Sequence, residues 1–138
     1  MEIHIPNINV PHNKRVAFGD YTVALNSHIG RIFNVRDPNV SVVYICPTEI
    51  NFEVRKYYQK LIKAFNVPKG QITILSPYIL PYHSAMSSSA QLYCSSKTLN
   101  KLKQKIQGKH AYIVPGAMSI YDTLISAELL VPILGPQL

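Results

Sequence analysis

Apolar positions fall along this chain in two patterns: short continuous runs, and stripes at spacings of three and four. The most compact example is Ala111 to Leu134, AYIVPGAMSIYDTLISAELLVPIL. Ala111-Tyr112-Ile113-Val114 is a run of the kind that fills a buried parallel strand, and Pro115-Gly116 stops it. Ser119 is placed to cap a helix, with Asp122 three residues on as its capping-box partner. Ile120, Leu124, Ala127 and Leu130 then predict that helix's buried face. Val131-Pro132-Ile133-Leu134 predicts a further strand, closed by Gly135-Pro136. A parallel crossover in so few residues argues strongly for fold and weakly for function, because such units host many chemistries.

The same alternation runs upstream. Phe18, Tyr21, Leu25, Ile29, Ile32 and Phe33 predict a helix from Phe18 to Phe33, stopped at Arg36-Asp37-Pro38-Asn39. Val40 to Ile45 is β-branched and nearly all apolar, which suits a strand covered on both faces. After Cys46-Pro47, Thr48 is expected to cap a helix whose stripe is Ile50, Val54, Tyr57, Tyr58, Leu61 and Phe65. Arg55, Lys56, Lys60 and Lys63 face away. Gln71 to Leu75 is the next strand, and Pro77 and Pro81 make Ser76 to Tyr82 a loop. Ser84 to Cys94 reads as a short helix or as a serine-rich linker. Ser96 then caps a helix from Lys97 to Gln107 with the stripe Leu99, Leu102 and Ile106. Residues 1–16 alternate weakly at Ile3 and Ile5 and predict an N-terminal arm or an edge strand. Strands alternating with helices over 17–138 predict one α/β domain, a Rossmann-like open, mostly parallel sheet with helices on both faces.

Composition adds bounds. With 138 residues the chain is most simply one domain. Only 15% of residues are charged, against about 25% on average, so an unusual share of surface is expected to lie against a partner or a longer chain. The net charge of +7 fits nucleic acid, an acidic protein surface or anionic lipid equally. No run approaches the length of a membrane span and no signal peptide is visible, so the expected setting is intracellular. Cys46 and Cys94 lack CxxC spacing and are expected to be buried free thiols.

Candidate chemistry is sparse. No glycine-rich phosphate loop is present. Two loops at strand ends still precede helices, and a small anionic ligand over Thr48, Gly116 and Ser119 is the functional expectation there. Ordinary helix caps are the plain alternative. Cys46 at a strand end is expected to be a plain buried thiol rather than an activated one. The histidines never fall three or four apart, so no metal and no cofactor are expected, and His4 and His12 are expected in solvent. Lys97, Lys101 and Lys105 form one row on the helix after Ser96. That row suits docking on an acidic protein such as tubulin, on calmodulin or on phosphates; the alternative is a solvated face. No aromatics interleave with it, which argues against stacking on single-stranded nucleic acid.

Three stretches, Val42 to Ile62, Ser89 to Ile106 and Ala111 to Pro136, together resemble the pre-ATP-grasp domain. That domain is the Rossmann-like lobe preceding an ATP-grasp domain in peptide-ligase-like proteins, including the IQ-motif-containing protein H group of ciliated and sperm cells. Two departures stand out. The family's first apolar strand is weak here. The sequence also stops at Gly135-Pro136-Gln137-Leu138, where the family's ATP- and magnesium-binding part begins, so ligase activity is not expected to carry over. The resemblance implies a non-catalytic interaction module in a larger assembly, in the cytoplasm or in a ciliary or flagellar (axonemal) cytoskeleton. The alternatives are the N-terminal lobe of an ATP-dependent carboxylate–amine ligase and, on charge alone, a basic nucleic-acid-binding module.

Overall fold

The computed structural model describes residues 1–8, 10–17, 26–64, 66–78 and 86–135. Its centre is a four-stranded, wholly parallel sheet. The strands are β1 (Glu2–Ile5), β2 (Val42–Ile45), β3 (Ile72–Leu75) and β4 (Tyr112–Pro115), in the order β3-β2-β1-β4. The helices are α1 (His12–Ala17), a 3-10 helix (Asn26–Arg36), α2 (Phe52–Ala64), α3 (Ser88–Cys94), α4 (Ser96–Ile106) and α5 (Ile120–Leu129). Every parallel connection carries a helical crossover, and the fold is α/β and Rossmann-like.

The three apolar runs are strands within two residues of expectation, but the order changes their roles. β3 is at the edge. β1, expected as an arm or edge strand, pairs with both β2 and β4, with Ile3 opposite Val43 and Ile113. The alternation that made residues 2–5 look peripheral sends Ile3 and Ile5 to one covered face and Glu2 and His4 to the other. His4, expected in solvent, is accordingly buried. The expected strand Val131–Leu134 is reduced to a bridge between Ile113 and Ile133. Pro132 has no N–H for a ladder, and Val131 turns back to α5, its N–H on the Ser126 carbonyl at 3.2 Å and its own carbonyl accepting from Ser126 Oγ at 2.6 Å.

One face of the sheet packs Ile3, Ile5, Val43, Ile45 and Ile113 against Leu92 of α3, Leu99 and Leu102 of α4, and Ile125 and Leu129 of α5. The stripe of α4 is therefore as expected. That of α5 is not: Ile125, Leu129 and Asp122 point inward, while Ile120, Leu124, Ala127 and Leu130 are exposed. The helix is apolar on two faces, and the inner one includes a carboxylate that finds partners there.

The other face packs Val42, Tyr44 and Cys46 against Ile32 and Val35 of the 3-10 helix, with Tyr58 and Ile62 of α2 only partly buried. No side chain of α2 is fully buried, and Val54, expected in its stripe, is 42% exposed, with Tyr57 also exposed. Phe65 lies outside the described residues, as do 18–25 of the helix expected over Phe18–Phe33 and residues 79–82 of the expected loop. From Ser84–Cys94 the described helix is α3, with Ser87 as N-cap. Cys46 is a buried free thiol, whereas free Cys94 is exposed. Among the described residues no helix is long and apolar enough to cross a membrane.

Candidate functional site

In an order β3-β2-β1-β4 the chain leaves β1 in one direction and returns on its other side at β4. Open α/β sheets bind ligands at such a switch point, beyond the strands' C-terminal ends. A cavity of about 310 Å³ lies there, lined in part by Asn7, Arg15, Met86, Ser87, Met118 and Ser119. The loops after β1 and β4 touch beneath it. Gly116 donates to the Ile5 carbonyl at 2.8 Å, and Ala117 to that of Asn7 at 2.9 Å. A Cβ on Gly116 would lie 2.2 Å from the Asn7 carbonyl oxygen, so only glycine permits this approach.

Below the cavity is a buried polar network centred on Asp122, which is 0% exposed. Its carboxylate accepts from Ser89 Oγ at 2.5 Å, from Ser119 N–H at 2.8 Å, from Ser119 Oγ at 2.6 Å and from Asn7 Nδ2 at 3.5 Å. Asn7 also donates to Ser89 Oγ and accepts from the Ser89 N–H at 3.2 Å. A helix N-terminus favours an anion. Here the chain supplies its own, and the Ser119 donors already serve it. The network joins the loop after β1 to α3 and α5, so its direct effect is to lock three elements around the switch point.

Thr48, Gly116 and Ser119 are thus placed unequally. Ser119 lines the cavity and Gly116 forms the loop contact beside it, but Thr48 is not among the lining residues. Nor does Thr48 cap α2, which begins at Phe52 with Asn51 Oδ1 accepting the Glu53 N–H at 2.9 Å. Thr48 faces back toward β2: its carbonyl accepts from Cys46 Sγ at 2.6 Å and its hydroxyl from Asn26 Nδ2 at 3.2 Å. Burial raises the Cys46 pKa despite these hydrogen bonds, so the thiol is held neutral. Lys97, Lys101 and Lys105 are exposed opposite the buried stripe of α4, whose N-cap is Ser95 rather than Ser96. Their neighbour Lys103 pairs with Glu128 at 2.5 Å.

Sequence reasoning missed Asn7, Ser89 and the central role of Asp122. The available signals were the Ser119–Asp122 spacing and a polar residue directly after an apolar strand. It also missed the cluster on the other face. There Glu2 accepts from His4 Nε2, Asn34 Nδ2 and the Tyr112 hydroxyl, each at 2.8 Å. Among the described residues no three His, Cys, Asp or Glu side chains converge as metal ligands would.

The chain is 30% identical over 147 aligned residues to IQ motif-containing protein H of Danio rerio. The match covers 96% of this chain but spans only 14% of that protein. No family model matches the chain, and no solved structure does.

Proposed function

We propose that this chain is a non-catalytic α/β interaction module of a larger assembly, a pre-ATP-grasp-like lobe used as a building block. The observation that carries the reading is the Asp122 network. Where an open α/β sheet would receive an anionic ligand, the helix N-terminus and the Ser119 donors are engaged by the chain's own buried carboxylate. Similarity to IQ motif-containing protein H over nearly the whole chain supports membership of a much longer protein. The exposed Lys97, Lys101 and Lys105 row is the docking face in this reading, and its partner an acidic surface such as tubulin in a ciliary or flagellar cytoskeleton. The test is co-sedimentation with polymerised tubulin across a salt series, with circular dichroism as the fold control. Wild type is expected to pellet at low ionic strength and to release as salt rises. The folded variant K97E/K101E/K105E is expected to stay in the supernatant. A folded variant that pellets like wild type removes the row as the docking face, and a wild type that never pellets removes tubulin.

One observation favours a second reading, the N-terminal lobe of an ATP-dependent carboxylate–amine ligase: the cavity of about 310 Å³ stands at the switch point. Ser119 and Gly116 would then sit beside the ligand. A reading frame that continues past Leu138 into an ATP-grasp sequence would decide for it.

A further inference from the structure

α2 rides high on the sheet. No side chain of this helix is fully buried, although its neighbours on the same face include the half-buried strand β3. The gap is a groove of about 680 Å³. Its floor is apolar, with Tyr58 and Ile62 from α2 facing Ile72 and Ile74 from β3. Its rim is cationic: Arg55, Lys63 and Lys69 line it, and no described Asp or Glu does.

One side of the groove is also an open sheet edge. β3 ends the strand order, so among the described residues it has no neighbour beyond β2. The carbonyls of Gln71 and Leu75 accept from Val42 and Cys46 of the β2 segment, at 2.7 and 2.8 Å. Bonding groups alternate along a parallel ladder. The N–H and C=O groups of Ile72 and Ile74 therefore face outward, while their side chains form the groove floor. Unpaired edge groups beside an apolar floor are the elements that recognise an added strand.

We propose that the groove between α2 and the β3 edge docks an extended acidic segment of a partner protein, one alternating carboxylates with branched apolar side chains. The apolar side chains fill the floor, the backbone pairs with Ile72 and Ile74, and the carboxylates meet Arg55, Lys63 and Lys69. Charge complementarity selects the partner, because a rim of one sign repels a basic segment and a dry floor rejects a purely polar one. This surface is separate from the lysine row on α4.

The test uses the whole chain and a phage-displayed library of random dodecapeptides. Recovered peptides are expected to alternate Asp or Glu with Val, Ile or Leu. They should bind R55E/K63E/K69E about tenfold more weakly than wild type, from three rim pairs of modest strength each. In the complex the Ile72 and Ile74 amides should exchange with solvent more slowly. Lys69→Glu alone, in the loop before β3, keeps the test readable if the triple variant does not fold. K97E/K101E/K105E should bind the same peptides as wild type does, so failure of the α4 docking face and failure of the groove are distinguishable. Recovery of no such peptides, equal binding by a folded rim variant, or unchanged exchange at Ile72 and Ile74 would overturn the proposal.

Discussion

The two faces of one sheet are covered in different ways. On the side of α3, α4 and α5, Leu102, Ile113 and Ile125 are buried completely, and a carboxylate is buried with its hydrogen bonds made. On the side of the 3-10 helix and α2, the helix that spans β2 to β3 leaves its apolar side chains half in water. His4 Nδ1, His28 Nδ1 and the Tyr44 hydroxyl on that side are buried without a hydrogen-bond partner. The first face is also imperfect, since Ser88 Oγ and Gln91 Oε1 of α3 are unpartnered too. Among the described residues, the second face combines unpaired buried groups with a loosely seated helix beside the open β3 edge. Close packing stabilises; incomplete packing leaves surface that a partner can still bury. The closely packed face therefore carries most of the stability, with the outer lysines of α4 left for a partner, whereas the loosely packed face leaves an apolar groove that a partner can still bury.

The largest expected effect puts one charge on each face. Val43, packed with α4 and α5, is 0% exposed, whereas Val54 on α2 is 42% exposed. Val43→Asp should abolish folding, because an unpaired buried charge costs more than a domain's stability of about 5–15 kcal/mol leaves to spare. Val54→Asp should melt within a few degrees of wild type. Circular dichroism melts of both variants decide it, and a cooperatively folded Val43→Asp chain would break the comparison outright.

Next in size is Asp122→Ala. It strands the Ser89 and Ser119 hydroxyls and the Ser119 N–H around a vacated carboxylate site, and should cost about 3 kcal/mol. Urea titration measures it, and a loss below about 1 kcal/mol would mean that water replaces the carboxylate at no great cost. Smaller still is the contrast between Leu102→Ala and Ile62→Ala. The fully buried leucine of α4 should cost about 3 kcal/mol and the half-buried isoleucine of α2 about 1. Equal costs by the same titration would show α2 to be as tightly seated as α4.

This contrast also explains what the sequence made legible. Val42–Ile45, Ile72–Leu75 and Tyr112–Pro115 could be read because each is a short, mainly β-branched apolar run set between helical stripes, although Val131–Leu134, a run of the same kind that forms only one bridge, shows that the pattern alone does not make a strand. The stripe of α4 could be read because lysines mark its outer face. α5 could not be read this way: in Ile120–Leu129 both faces are apolar, and the one that goes inward carries Asp122. Hydrophobic periodicity cannot favour a face for holding a carboxylate whose partners, Asn7 and Ser89, are remote in sequence. β1 failed for the same reason, since Glu2 and His4 look like solvent residues until Asn34 and Tyr112 close over them. The candidate site was legible only at Gly116 and Ser119, where local turn and cap chemistry leaves a trace. Thr48 was misplaced because Asn51, three residues on, is as good a cap.

The smallest expected effect is a pH dependence from the open face. His4 is buried, with Nε2 on the Glu2 carboxylate at 2.8 Å and Nδ1 unpartnered. Burial lowers its pKa below the ordinary 6.5, and nearby Arg31 acts in the same direction; the Glu2 hydrogen bond and charge oppose them and lose. Burial pushes Glu2 upward, but hydrogen bonds from Asn34, His4 and Tyr112 outweigh it and hold the carboxyl below the ordinary 4.5. In both cases the unfolded chain takes up its proton at a higher pH than the folded one. Stability is then whole above about 6.5, falls as the pH drops below it through His4, and falls again below about 4.5 through Glu2. One proton limits each slope to about 1.4 kcal/mol per pH unit. His28, lowered by burial, by Arg31 and by His4, adds a contribution of the same sign, and the part from burial and Arg31 stays in a His4 variant. His4→Gln keeps a donor for Glu2 and removes the titration. Its urea midpoint should therefore fall less than that of wild type between pH 7.5 and pH 5.5, without becoming flat. If the two chains lose stability in parallel, His4 is reached by water in the folded state, and the 3-10 helix covers that end of the sheet no better than α2 covers the other.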